Sequence, residues 1–265
     1  MAFREYQHIE RFGNEEVENI ELGEVYLFPK LDGTNASLWY EVEAERGMYQ
    51  LAGGARHRAA TLENDNQGFF TYAHKHQPFY NFFKANQSLR LYGEYLIPHT
   101  LKTYREDAWR KFWIFDVYND SSGEYLPYDT YQPLLEAAHL DYIPPLAKIK
   151  NGDMASFVRV LESNNFFIQD GKGIGEGIVL KNYQYYNKYG RQTWAKIINS
   201  EFKEQHHRLM GCPESNKTLI EESIANTYVT TALCEKTHAK ISNEHEGWSS
   251  RYIPELLGRV YHDVV

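Results

Sequence analysis

Glu24-Val25-Tyr26-Leu27-Phe28-Pro29-Lys30-Leu31-Asp32-Gly33-Thr34-Asn35-Ala36-Ser37-Leu38-Trp39-Tyr40 is the stretch on which the fold turns. β-Branched and aromatic residues dominate 24–28 and 35–40, so both flanks are expected as strands, with Pro29 and Gly33 as punctuation between them. Lys30 then sits near a strand end, followed by a turn. Gly33 is expected to supply a backbone conformation that other residues resist, and Asp32 to hold neighbouring donors. A Lys-x-Asp-Gly tetrapeptide alone arises by accident in roughly one chain of this length in ten to twenty. The weight therefore falls on four later segments in fixed order: Arg90-Leu91-Tyr92-Gly93-Glu94-Tyr95-Leu96, Phe112-Trp113-Ile114-Phe115-Asp116-Val117-Tyr118, Glu176-Gly177-Ile178-Val179-Leu180-Lys181 and Trp194-Ala195-Lys196-Ile197-Ile198-Asn199.

Working outward, Asp65 to Gln87 carries helical spacing, with Phe69, Phe70, Tyr72, Ala73, Phe79, Phe82 and Phe83 as an apolar stripe broken by Pro78. Segments 89–97, 111–118, 176–181 and 192–198 read as short strands, and Tyr131–Leu140 and Ala155–Asn164 as helices. The fold class is α+β, a mixed sheet protein with intervening helices. Beyond Phe202 the texture changes: Ile220, Ile224, Tyr228, Ala232 and Leu233 recur at helical spacing, which predicts a small helical C-terminal subdomain. The chain stops on apolar residues, Ile253 to Val265, without a polar tail, the ending expected of a piece of something longer.

A chain of 265 residues with 42% hydrophobic residues can bury one substantial core. The 21 tyrosines suit strand packing first and base stacking second. Cys212 and Cys234 have no metal spacing and form no disulfide framework, which fits a reducing compartment. With no signal-like N-terminus and no apolar run of the ~20 residues a membrane span needs, the expectation is a soluble, intracellular protein of a cell, phage or virus. A net charge of −8 counts against a broad basic surface, so any contact with a polyanion must be local to a pocket. His74, His76, His206 and His207 make no zinc set and read as surface histidines. Asp170-Gly171-Lys172-Gly173-Ile174-Gly175 lacks the strand-loop-helix context of a phosphate loop and reads as a turn.

Together the five segments resemble the ATP-dependent RNA ligases of the covalent nucleotidyltransferase superfamily, and among them the phage-type RNA ligase 2 family. The likeness runs from Lys30 to about Phe202. It implies an adenylation domain of antiparallel sheets flanked by helices over residues 1–204, followed by the helical subdomain over 205–265. DNA ligases and capping enzymes of this superfamily append a β-barrel after the last lysine segment. Residues 203–265 look helical instead, which favours RNA ends as the substrate over a DNA-sealing or capping role. A nucleotide- or RNA-binding module without turnover is the reading from another class. No membrane and no obligatory protein partner is expected.

The resemblance also assigns residues. Lys30 is the nucleophile that takes AMP from ATP. An ordinary lysine is less than ~0.1% neutral at pH 7, so a cation beside it is expected, from Lys196, Lys181 or a magnesium or manganese ion. Glu94 and Glu176 sit in strands rich in apolar side chains, where a carboxylate is costly unless it pairs, binds metal or accepts a hydrogen bond. By resemblance Glu94 meets the nucleotide ribose and Glu176, with Lys196 among the catalytic groups, faces the metal and phosphates; both carboxylates are the metal ligands. Asp32, Gly33, Arg56 and Lys181 complete the nucleotide site, and Asn35 and Arg56 are the contacts to RNA ends. Phe115 is assigned to stack on the purine, while strand alternation puts it on one face with Trp113 and Val117, which leaves plain core packing open. The last segment departs from the family's lysine-x-lysine pattern: the second position is Ile198.

Overall fold

The computed structural model describes residues 2–42, 48–199, 229–245 and 247–264. The chain divides into two compact units, Met1–Gln205 and His206–Val265. The described residues of the first form two sheets. One has strand order β1-β11-β10-β2-β9, from β1 (Glu10–Arg11), β2 (Glu24–Lys30), β9 (Ala147–Lys150), β10 (Gly177–Lys181) and β11 (Ala195–Ile198). The other has order β5-β4-β3-β6-β7-β8, from β3 (Thr34–Val42), β4 (Tyr49–Ala55), β5 (Ala59–Ala60), β6 (Leu89–Tyr95), β7 (Phe112–Asn119) and β8 (Glu124–Tyr125). Among the described residues four α-helices belong to this unit: α1 (Phe69–Lys75), α2 (Gln77–Ala85), α3 (Tyr128–Ala137) and α4 (Met154–Glu162).

Period-two alternation sorts each strand's side chains between two layers. In the first sheet Val25, Leu27, Ile178, Leu180, Ala195 and Ile197 pack with Phe157 and Leu161 of α4. In the second, Leu38, Leu91, Ile114 and Val117 pack with Phe69, Phe79, Phe82 and Phe83 of α1 and α2 and Tyr131 and Leu135 of α3. Each fully buried ring or branched side chain contributes about 1.5–3 kcal/mol. The opposite faces meet in aromatic clusters that include Tyr26, Phe28 and Trp113, and Tyr6, Tyr92 and Trp194. The functional cavity opens between these inner faces.

The α+β class with antiparallel sheets and flanking helices is as expected, and among the described strands β1 and β11 pair in parallel. Pro29 is no boundary: it pairs with Ile178 inside β2, which runs on to Lys30. It is tolerated because β9 pairs with β2 only as far as Leu27, leaving the strand one neighbour there. The helical stretch 65–87 breaks at His76 into α1 and α2, with Pro78 in the first turn of α2, where its missing N–H costs nothing. α3 begins three residues earlier than the apolar spacing indicates and accommodates Pro133. β4 escapes a propensity reading because Ala52, Gly53, Gly54 and Ala55 make up its second half. His74 and His76 are half-buried rather than surface residues, the first bonded to the Phe70 carbonyl and the second stacked on Tyr72. Gly171 and Gly173 have φ of +72° and +100°, so the 170–175 stretch is a turn.

In the second unit α5 (Thr231–Glu244), capped by the Thr230 hydroxyl accepting from Leu233 N, and α6 (Ile253–Val264) are joined by Arg259, which bonds Glu244 and Glu255. Lys203, His206, His207, Cys212 and the helical pattern of Ile220, Ile224 and Tyr228 lie outside the described residues, as do Ser200, Glu201 and Phe202. Among the described residues no helix is long and apolar enough to cross a membrane.

Candidate active site

Lys30 is the last residue of β2 and stands opposite Gly177, the first of β10; Gly177 in turn is opposite Ile198 of β11. The next row inward is Phe28, Val179 and Lys196. From these rows Lys30, Phe28, Val179 and Lys196, with residues from the second sheet, line a cavity of about 420 Å³. All ten site positions marked by the sequence line it: Lys30, Asp32, Gly33, Asn35, Arg56, Glu94, Phe115, Glu176, Lys181 and Lys196. Ile198 does not.

The Lys30 Nζ donates to both oxygens of Glu176 at 2.6 Å, and each side chain is about a quarter exposed, 27% and 26%. The partner on Lys30 is thus a carboxylate, not the neighbouring cation that the need for a neutral amine suggests. Register explains the contact, since Glu176 immediately precedes Gly177, the residue across from Lys30. A Cβ at Gly177 would lie 2.4 Å from the Ile197 carbonyl oxygen, so only glycine lets β10 and β11 approach here. Burial raises the Glu176 carboxyl above its ordinary range, opposed by Lys30 and by Lys196.

Glu94 reaches in from β6, and its Oε1 accepts from Gly33 N at 3.0 Å. Burial pushes its carboxyl up to about 8; Lys30 and the Gly33 N–H pull it down, and Glu176 and Asp32 add to the rise. Gly33 is required for close approach rather than for an unusual φ: a Cβ would stand 2.6 Å from the Tyr95 carbonyl oxygen. Asp32 holds donors as expected. Its Oδ2 accepts from Leu101 N at 2.5 Å, its Oδ1 lies 2.8 Å from His99 Nδ1, and its own N–H donates to Tyr104 Oη.

Lys181 is at the cavity floor but is not a spare cation. It is 2% exposed, 2.7 Å from Asp116 Oδ1 and 2.6 Å from the Phe115 carbonyl oxygen, with the rings of Phe28, Phe115 and Trp194 around it. Asp116 neutralises it and also accepts from Tyr6 Oη at 2.5 Å and Trp194 Nε1 at 3.1 Å. Burial lowers the Lys181 ammonium, with Asp116 acting against it.

The expected alternation holds for Phe115 with Trp113 but fails at Val117. A bulge in the β6–β7 pairing sets Tyr92 opposite Asp116 but Gly93 opposite Ile114, leaving Phe115 as the extra residue. Val117 therefore joins the α1–α3 core, while Phe115 turns inward with Trp113, half-buried on the cavity wall. The bulge frees the Phe115 carbonyl, which Lys181 and Tyr131 occupy. Arg56, exposed just past the end of β4, and Asn35, opposite Glu94 in the β3–β6 register, edge the cavity from the second sheet.

Propensity reading passed over Tyr6, Gln7 and Ile9, which line the cavity from an N-terminal segment without periodic pattern, and His99, from a loop. Asp116 was findable: a carboxylate inside an aromatic strand demands a partner, the argument already applied to Glu94 and Glu176. The metal assignment to Glu94 and Glu176 meets a limit, for among the described residues no group of three His, Cys, Asp or Glu side chains could hold an ion.

A two-sheet domain with a lysine-carboxylate pair at the mouth of an inner cavity is a nucleotidyltransferase type of fold. Residues 23–198, more than half of the chain, match the family model described as RNA ligase, and the chain belongs to that family. Among solved structures it is similar to a Naegleria gruberi RNA ligase with PPi, at 17% identity and TM-score 0.55, over 78% of this chain and 58% of that one. A lysine-to-methionine mutant of the Naegleria ligase with AMP and Mn (18%, 0.56, 76% and 57%) and a glutamate-to-alanine mutant with ATP and Mn (18%, 0.56, 77% and 58%) match equally well. At such identities the likeness is one of fold. The chain spans under three fifths of the Naegleria ligase's length. A search of the curated proteins finds no match.

Proposed function

We propose that this chain is an ATP-dependent RNA ligase, of the phage-type RNA ligase 2 kind, that joins a 5′-phosphate to a 3′-hydroxyl inside the cell. In this reading residues 1–204 form the adenylyltransferase domain and 205–265 a helical accessory subdomain. The observation that carries it is the Lys30 amine, 2.6 Å from both Glu176 oxygens, at a cavity lined by every position the motifs mark. The Naegleria ligase, solved with ATP, AMP, PPi and Mn, supports a triphosphate in the corresponding space.

Lys30 Nζ first gives its extra proton to Glu176, whose raised carboxyl and short contact fit it to receive one. The freed lone pair attacks the α-phosphorus of ATP as substrate; the P–O bond to pyrophosphate breaks, and pyrophosphate leaves with the electron pair. An RNA 5′-phosphate oxygen then attacks the same phosphorus, and Lys30 leaves as amine and recovers the proton. Finally the 3′-hydroxyl attacks the activated 5′-phosphorus and AMP departs. Lys196 and Arg56 neutralise phosphate oxygens, and fixed charges that require no reorganisation supply most of the rate. Glu94, protonated below about pH 8, offers a hydrogen-bond donor as well as an acceptor to a ribose hydroxyl. Phe115 stacks on the base, and Asn35 meets the RNA end.

Glu94 and Glu176 fit a hard divalent ion, since magnesium is commonly held by one or two carboxylates with phosphate oxygens and water completing the shell. Glu176 adds to the rise of the Glu94 carboxyl, a repulsion that a cation relieves. Magnesium or manganese bound there would neutralise charge on the phosphates.

The test is incubation with α-labelled ATP followed by denaturing electrophoresis and mass spectrometry. The wild-type chain should carry AMP on Lys30, and Lys30→Ala should carry none. Label on Lys30→Ala would overturn the assignment, whereas a wild-type chain that binds ATP without adduct would be a binding module.

A further inference from the structure

We propose that His99, oriented by Asp32, is the general base that takes the proton from the 3′-hydroxyl of an RNA end as that hydroxyl attacks the activated 5′-phosphate. The inference rests on the reading of the chain as an RNA ligase and deepens it, adding a catalytic residue that no motif marks.

His99 belongs to the loop that follows β6 and lines the same cavity as Lys30 and Glu176. Asp32 ties this loop to the Lys30 turn: its Oδ1 lies 2.8 Å from His99 Nδ1, its Oδ2 accepts from Leu101 N, and its own N–H donates to the hydroxyl of the buried Tyr104. The imidazole is therefore placed by the fold although it is 60% exposed. Its hydrogen bonds run through Nδ1, to Asp32 and, at 3.2 Å, to Thr100 Oγ1. A carboxylate beside Nδ1 favours the proton on that nitrogen, which makes Nε2, across the ring, the acceptor. The same carboxylate stabilises the imidazolium that forms when Nε2 takes a proton.

Position and chemistry both select this residue. A cavity of about 420 Å³ has the size of a small-molecule site, so the end of a second polynucleotide strand has to meet it at the mouth. Lys181 marks the floor at 2% exposed, whereas His99 and the exposed Arg56 stand on the solvent side. The other lining groups that could accept a proton are engaged. Lys30 occupies both oxygens of Glu176; Glu94 keeps its proton up to about pH 8 and accepts from Gly33 N; Asp32 holds Leu101 and His99; the Tyr6 hydroxyl donates to Asp116. Arg56 and the lining lysines offer donors to phosphate oxygens, and a charged lysine or arginine has no acceptor. Imidazole is the side chain that takes and returns protons near neutral pH. The step balances: the 3′-oxygen bonds to the 5′-phosphorus, its proton passes to Nε2, the P–O bond to AMP breaks, AMP leaves with the electron pair, and the exposed imidazolium returns the proton to water.

The full-length chain is assayed for two steps separately: transfer of label from α-labelled ATP to Lys30, and single-turnover sealing of a pre-adenylated RNA to a 3′-hydroxyl acceptor at saturating RNA. His99→Ala is expected to slow sealing about 100-fold or more while adenylation falls no more than about threefold, the second step thus singled out and the first serving as the control for folding. His99→Asn keeps a donor for Asp32 but no base, and should seal as slowly as His99→Ala. Added imidazole should recover part of the sealing rate of His99→Ala and leave the wild type as it is. Equal loss of both steps would make His99 a brace of the Lys30 turn and overturn the proposal. So would wild-type sealing by His99→Asn, no recovery with imidazole, or a loss confined to the affinity for adenylated RNA, which would make His99 a phosphate contact. If the wild type forms no adduct and seals nothing, the functional reading falls, and this inference with it; if wild type and both variants seal alike, only the inference falls.

Discussion

Glu94→Gln tests the electrostatics of the cavity without relying on turnover. The carboxyl is pushed to about 8 from an ordinary 4.5, chiefly by burial. The folded chain thus keeps a proton on Glu94 up to about pH 8, which the unfolded chain releases near 4.5. Between those values unfolding releases a proton, so the stability from this group is full below about pH 4.5, declines as pH rises, and is gone above about 8. Holding an ionised carboxylate in that site costs at most about 5 kcal/mol above pH 8; with the side chain half-buried, water reduces this to about 2–3 kcal/mol. Glutamine keeps the shape and never ionises. Urea unfolding at pH 5.5 and 8.5 should find the two proteins close at the lower pH, with Glu94→Gln the more stable by about 2–3 kcal/mol at the higher. Other titrating groups largely cancel in the comparison. Adduct formation should fall in the same variant, a stability gained at the expense of activity. A stability difference that does not change with pH would refute the burial argument.

Asp116→Asn should cost about 3–5 kcal/mol in urea unfolding, because it strands the 2%-exposed Lys181 ammonium without its counter-ion. Adding Lys181→Met should recover most of that loss, and a double variant no more stable than Asp116→Asn would refute the pairing account. Gly177→Ala drives a Cβ against the Ile197 carbonyl and should lower stability by about 1–3 kcal/mol. Because Lys30 and Glu176 are placed by the same strand contact, adenylation should slow as well, and an unaffected adduct rate would show that the register there is not what holds the pair.

The Lys30–Glu176 contact gives the two glutamates of the cavity distinct situations. Glu176 is engaged by the amine through both oxygens, while Glu94 is braced by the Gly33 backbone. Asp32, also on the cavity wall, ties His99 and Leu101 to the Lys30 turn, with Asp32 12% and His99 60% exposed. The turn is thereby fixed from both sides while the lysine side chain stays accessible at the cavity mouth.

The strands of the motif segments and the positions that line the cavity were legible in the sequence, because local alternation and the apolar company of Lys30, Glu94 and Glu176 are properties of contiguous residues. Their convergence was not. Lys30 and Glu176 are brought together by the β2–β10 register, and Asp32 and His99 by a loop that folds back on the Lys30 turn. The bulge that sends Val117 to the face opposite Phe115 and the burial that ties Lys181 to Asp116 likewise depend on which strands become neighbours. Pairing register and desolvation are set by long-range packing, so only the tertiary structure decided which charges are neutralised and which side of a strand faces the cavity.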